Sequence, residues 1–273
     1  MPRSEPLAGP QSVETGALRR QLWRFPSGQP GVLMRGTLFR PPGAGPFPLL
    51  VMNHGTTQNA ERRRMLPLPA FDSLARWFVR HGFAVAVPQR PGHGATGGAY
   101  REDQGGCDDA DFARAGRGAA DSIMAATAYV TAQPFIRRGR TIVAGQSAGG
   151  WAALAVASRA PPGLQAVINF AGGLGGRSYD RPDNNCAADR LIATAAEFGR
   201  TAHVPSLWLY TANDSYFPPR LAGAMADAYR AAGGKAEFAL LPDSGADGHF
   251  MAETEGSESA WGPAVERFLA KIR

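Results

Sequence analysis

Lysine is nearly missing from this sequence. Of 29 basic residues only Lys235 and Lys271 are lysines, and the rest are arginines. Cysteine is confined to Cys107 and Cys186, and histidine to five positions. No uninterrupted run of 18 apolar residues occurs, which excludes an ordinary membrane-spanning helix. The two cysteines stand far apart and fit no zinc or thioredoxin-type spacing. No two histidines share a helix face at ligand spacing. No metal and no cofactor is therefore expected. The first twenty residues hold no apolar segment of the secretory kind. Two locations stay open: cytoplasmic if Met1 is the natural start, periplasmic or secreted if the chain is a trimmed precursor.

The arginine excess gives a formal charge of +6 over 273 residues. The arginines are scattered, and the longest run is Arg62, Arg63 and Arg64. A nucleic-acid surface would need a basic stripe interleaved with aromatics, and there is none. No nucleic-acid partner is expected, and the charge reads as a solvated surface. Hydrophobic residues make up 44% and charged residues 19%, a globular balance. The oligomeric state is not legible.

What is present is an alternation of strand and helix patterns. Residues 20–26 and 31–40 read as two leading strands. Apolar runs at 48–53, 83–87, 141–144, 166–170, 205–211 and 235–241 lack polar alternation, as strands buried on both faces do. Between and after them, helices are predicted over 67–81, 108–132, 148–160, 187–200, 219–233 and 258–272. Alternation of this kind implies an α/β fold with a mostly parallel sheet and right-handed crossovers. Pro2, Pro6, Gly9 and Pro10 mark 1–19 as a flexible arm before one catalytic domain over 20–273. The Gly-rich stretch from 172 opens a loop or lid insertion reaching about residue 200.

In open α/β sheets ligands bind beyond the carboxyl ends of the strands. One loop there reads Gly145-Gln146-Ser147-Ala148-Gly149, between a predicted strand and a predicted helix. This is the G-x-S-x-G elbow in its required context. A serine hydroxyl needs a base. His54 and His81 read as structural, and His203 lies on the far side. His93 is on the correct side and keeps some claim. His249 follows the last strand, after the serine in the chain, and is the favoured base. Asp214, in the turn after the strand at 205–211, is the favoured acid. Asp243 and Asp247 are its rivals, although Asp247 is too close in sequence to reach the His249 ring.

The ordered set His54-Gly55-Thr56, Gly145-Gln146-Ser147-Ala148-Gly149, Asp214 and His249 resembles the α/β-hydrolase superfamily. The nearest branch is that of dienelactone-hydrolase-like and cutinase-like esterases. Dienelactone hydrolases proper carry cysteine where this chain has Ser147. The resemblance implies an eight-stranded, mostly parallel sheet with helices on both faces. It implies an oxyanion hole made by the backbone N–H groups of Thr56 and Ala148. It also implies a substrate pocket lined by Gln146, Tyr216 and Phe217, with Phe250 following the histidine. Phe217 and Phe250 read equally as core aromatics.

The expected activity is that of a serine esterase acting on a small-molecule or polymeric ester through an acyl-enzyme. A peptidase or acyltransferase on the same triad is the alternative. A non-catalytic binding protein on the hydrolase scaffold is a third reading. Cys107 and Cys186 both leave the carboxyl edge of the sheet. They stand either as a disulfide between two loops or as two free thiols.

Overall fold

The computed structural model describes residues 7–243 and 245–272. Among the described residues nine strands form one sheet: β1 (Gly9–Pro10), β2 (Gln21–Pro26), β3 (Leu33–Phe39), β4 (Phe47–Asn53), β5 (Ala84–Pro88), β6 (Ile136–Gln146), β7 (Leu164–Phe170), β8 (Ser206–Thr211) and β9 (Ala236–Leu241). Their spatial order is β1-β2-β3-β5-β4-β6-β7-β8-β9. The first four strands in that order pair antiparallel, and every pair from β5 to β9 is parallel. The sheet thus has one strand more than expected. The extra one is β1, where Gly9 and Pro10 pair with Arg24 and Trp23. Proline is tolerated there because this is an edge strand. Residues 7–19 of the expected arm therefore lie along the sheet edge, and residues 1–6 fall outside the described residues.

Seven α-helices among the described residues accompany the strands: α1 (Ala60–Arg64), α2 (Asp72–Arg80), α3 (Phe112–Thr131), α4 (Ala148–Arg159), α5 (Ala188–Gly199), α6 (Pro219–Ala231) and α7 (Glu258–Lys271). None among the described residues is long and apolar enough to cross a membrane. The crossover rule distributes them. From β4 to β5 the chain steps one way along the sheet, and from β5 through β6, β7, β8 and β9 it steps the other way. Right-handed crossovers then place α2 on one face and α3, α4, α5 and α6 on the opposite face. The helix α7 returns to the face of α2, where Trp77 meets Trp261 with ring centroids 5.2 Å apart.

The predicted helix over 67–81 begins only at Asp72, and a short α1 precedes it. The reason lies in Leu66-Pro67-Leu68-Pro69. A residue before proline is pushed out of the α region, so two alternating prolines hold this stretch extended. The central strands are buried along their carboxyl-terminal parts; Leu49, Leu50, Val51 and Met52 have no exposure. This is why those runs show no polar alternation. Lys235 and Lys271 lie where β9 begins, at the sheet edge opposite the strand carboxyl ends. Lys271 Nζ donates to Glu237 Oε2 at 2.8 Å.

Candidate active site

Ser147 lies between β6 and α4 with φ 56° and ψ −124°. A non-glycine residue seldom adopts such a backbone, and it is held only where the surroundings over-determine it. The surroundings here are very close. A Cβ on Gly145 would stand 2.1 Å from the Gly149 carbonyl carbon, and one on Gly149 would stand 2.2 Å from Asn53 O. Glycine is required at both positions because backbone occupies the side-chain space. The Ser147 N–H donates to Phe170 O at 3.0 Å, anchoring the turn to β7. Ala148 is the first residue of α4, so its N–H has no acceptor within the helix. The positive end of the helix dipole points there.

The strand β4 is followed by His54-Gly55-Thr56, which runs beside the elbow. A Cβ on Gly55 would stand 3.2 Å from Ser147 Cβ. The expected pair of donors, Thr56 and Ala148, thus comes from two segments that meet at Ser147.

Asp214 and His249 are both buried. His249 Nδ1 lies 3.2 Å from Asp214 Oδ1 and 3.4 Å from Oδ2. Asp214 Oδ1 also accepts the N–H groups of Tyr216 and Phe217 at 2.8 and 2.9 Å. Three donors therefore fix the carboxylate. The rival Asp247 is engaged elsewhere. It accepts the His249 N–H at 3.1 Å, the Ser215 N–H at 3.2 Å and the Ser215 hydroxyl at 2.6 Å. Burial pushes its pKa up, but the Ser215 hydroxyl and the two backbone donors outweigh that and hold it below the usual carboxylate range. Asp247 caps the turn that presents His249 and does not touch its ring nitrogens.

The His249 ring is sandwiched by its neighbours. Tyr216 stacks on it at 3.9 Å with an interplanar angle of 17°, and Phe250 meets it edge-on at 5.2 Å. Gln146 donates its amide to His249 O at 3.0 Å, tying the histidine turn to the elbow.

His93, the other candidate base, is fully buried. Its Nδ1 faces the carbonyls of Pro91 at 3.0 Å and Arg90 at 3.2 Å, so Nδ1 carries the proton. Nε2 then accepts the Thr56 hydroxyl at 2.6 Å. Burial, chiefly, lowers its pKa, with Arg90 adding to the effect against Glu102. Both nitrogens are occupied, and His93 serves the loop.

A cavity of about 360 Å³ opens over Ser147 and His249. Gln146, Tyr216 and Phe250 line it. Phe217 does not belong to this lining. It is buried beneath Gly173, where an added Cβ would stand 2.5 Å from its ring, and is a core aromatic. The sequence reading missed the opposite wall, which is Leu66 to Phe71. Gln89 braces that wall by donating to Pro67 O at 2.7 Å. The Leu-Pro-Leu-Pro stretch was a visible signal, because it cannot be helical. Glu253, also in the lining, had no such signal.

Of the two readings left open for the cysteines, the structure has the bridge. Cys107 and Cys186 form a disulfide with Cα atoms 5.0 Å apart, closing a span of 79 residues. The segment carrying Cys186 packs on the turn that holds Asp214. Asp183 N–H donates to Ser215 O at 2.8 Å, and Arg177 donates to Ser215 Oγ at 2.9 Å.

Fold and site together define a hydrolase of the α/β-hydrolase fold. The model of the X-Pro dipeptidyl-peptidase family, S15, matches residues 30–205, and the chain belongs to that family. The match includes the elbow and ends before Asp214. Among solved structures, the chain is similar to acetyl xylan esterase 1 from Thermoanaerobacterium sp., at 17% identity and a TM-score of 0.61, covering 97% of this chain and 87% of that one. It is similar to a Klebsiella pneumoniae protein assigned as a dienelactone hydrolase, at 20% identity and a TM-score of 0.56, covering 92% and 97%. It also resembles the acylaminoacyl peptidase of Pyrococcus horikoshii at 15% identity and a TM-score of 0.65, covering 89% of this chain but only 40% of that one. At these identities the likeness establishes the fold. No curated protein matches the sequence significantly.

Proposed function

We propose that this protein is a serine esterase that cleaves carboxylic esters through Ser147, His249 and Asp214. The observation that carries the reading is the strained Ser147 elbow opening into the same cavity as a histidine whose Nδ1 is held by a buried carboxylate. His249 takes the Ser147 proton through Nε2 as the hydroxyl attacks the ester carbonyl. The tetrahedral oxyanion is held by the N–H groups of Thr56 and Ala148. His249 then protonates the leaving alcohol, and water repeats the sequence on the acyl-enzyme. Asp214 keeps the imidazole in one tautomer and stabilises its cation without taking the proton. The chemistry needs no metal and no cofactor.

The family to which the chain belongs favours a second reading, cleavage of an Xaa-Pro amide. Two features support the ester. The chain spans less than half of the acylaminoacyl peptidase it resembles, while it spans nearly all of the esterase-like neighbours. The cavity is small, at the low end of the range for small-molecule pockets. The test is direct. Wild-type protein is offered p-nitrophenyl esters of graded acyl length and an Xaa-Pro p-nitroanilide with a free amino terminus. A kcat/KM for short esters at least a hundredfold above that for the anilide supports the esterase. The reverse ratio makes it a peptidase. In either case a fluorophosphonate should label the wild type and leave Ser147→Ala unlabelled.

A further inference from the structure

The Thr56 N–H is only as good a donor as the peptide that carries it is fixed, and four buried side chains fix that peptide. The peptide bond is planar and trans, so Gly55 C=O and Thr56 N–H point in opposite directions. Holding the carbonyl therefore aims the N–H. His54 Nδ1 lies 2.6 Å from Gly55 O. This contact is a hydrogen bond only in the tautomer with the proton on Nδ1, and the other ring nitrogen enforces that tautomer. His54 Nε2 accepts the Arg90 N–H at 3.0 Å, which leaves Nδ1 to carry the proton.

The preceding peptide is fixed by the same arginine. Arg90 Nη1 donates to His54 O at 2.7 Å. The guanidinium is itself clamped by Glu102, with Nε to Oε1 at 2.6 Å and Nη2 to Oε2 at 2.8 Å. Both members of this pair are buried. A buried bidentate pair is a costly way to gain stability, since two charges must leave water. It does supply a donor in one orientation. On the far side of the Gly55–Thr56 peptide, the Thr56 hydroxyl donates to His93 Nε2. The two imidazoles pack edge to face at 4.7 Å, so each limits the other's rotation.

We infer that His54, Arg90, Glu102 and His93 are positioning residues that aim the Thr56 N–H at the reacting oxygen. His54 is the central one, because its single tautomer joins the Arg90 backbone to the Gly55 carbonyl. His54 borders the cavity and the other three stand behind it, and none of the four is assigned a part in bond making or proton transfer. The inference rests on the serine-hydrolase reading of Ser147 and explains why two histidines without a free nitrogen stand beside the site. Losing one oxyanion donor outright costs a factor of about 10² to 10³ in kcat, so losing its aim should cost less.

The experiment uses the full chain and two variants, His54→Ala and Thr56→Val. The first removes the hold on the Gly55 carbonyl. The second removes the bond to His93 while keeping the side chain's size and the backbone N–H. For each, kcat and KM are measured on a short p-nitrophenyl ester. Inhibition by a trifluoromethyl ketone, which forms a tetrahedral oxyanion on the serine, is measured alongside. Expected are a 10- to 100-fold fall in kcat, KM within about threefold of wild type, and weakening of the ketone by the same factor as kcat. A merely structural role would lower the melting temperature and leave kcat and ketone affinity unchanged. That result overturns the inference, as does a loss carried wholly by KM. If His54→Ala does not fold, Thr56→Val alone decides. Wild type that is active, Ser147→Ala that is dead and both variants at wild-type kcat would overturn the inference and leave the hydrolase reading standing. Wild type that cleaves neither ester nor anilide would overturn both.

Discussion

Two glycines test whether close approach or conformational freedom explains a position. Gly149 has no room for a side chain, since an added Cβ meets Asn53 O at 2.2 Å. Gly149→Ala must push β4 away from the elbow and should cost about 3 kcal/mol or more in a urea titration, with loss of activity. Gly223, inside α6, has nothing within 4 Å of an added Cβ and no positive φ. Gly223→Ala should instead stabilise the fold by about 0.5–1 kcal/mol, because alanine loses less chain entropy in a helix. Equal effects of the two substitutions would contradict the packing argument. Among the proposed catalytic groups, Ser147→Ala and His249→Ala should each remove nearly all turnover, since such residues act as a unit. Asp214→Asn should cost somewhat less. Retention of wild-type turnover by His249→Ala would show the base to be another group.

At the level of elements, the disulfide joins the segment before α3 to the loop before α5. Cross-linking so long a span stabilises by roughly 4 kcal/mol in the chain-entropy picture. The Cys186 segment also braces Ser215, next to Asp214. Cys107→Ser with Cys186→Ser should therefore lower the unfolding free energy by about 2–4 kcal/mol and reduce kcat more than it raises KM. Thiol titration of the denatured, unreduced protein should find no free thiol; two would contradict the bridge. The central strands and the elbow were readable in the sequence because each is dictated locally. Apolar runs without alternation mark β4 to β8, and Gly-x-Ser-x-Gly marks the turn. The contact between Asp214 and His249 was readable from chain order and from the side of the sheet. The missed features depend on long-range partners. β1 exists only because β2 offers it an edge at Trp23 and Arg24. The Leu66–Phe71 wall needs Gln89 from the next strand to hold it. The displacement of Phe217 into the core follows from Gly173, forty-odd residues away, leaving space for its ring.

For the whole molecule, acid stability follows from groups buried near the site. Burial, with Arg90 and then His93 adding to it, holds the His54 pKa well below the ordinary value, and burial lowers that of His93. Each binds a proton less readily in the folded chain than in the unfolded one. Stability is therefore complete above the unfolded histidine value, about 6.5, and falls as pH drops below it. Glu102 adds a second loss at lower pH. Burial alone would raise its pKa, but Arg90 and His93 hold it below the ordinary carboxylate value. Its contribution is present above the unfolded carboxylate range and disappears as pH falls through its folded value. The melting temperature should thus be level from about pH 7 to 8 and decline from about pH 6 downward. A melting temperature that rises on going from pH 7 to pH 5 would contradict this.

The scarcity of lysine acquires a practical meaning once the fold is known. Both side-chain amines, Lys235 and Lys271, are exposed and stand where β9 begins, while Ser147 opens at the other end of the sheet. Through its lysines the molecule is addressable on one side only. Attached to a solid support through those amines, it would stand with its cavity turned outward to the solution. Arginine, which amine-coupling reagents ignore, carries nearly all the remaining positive charge and would be left intact.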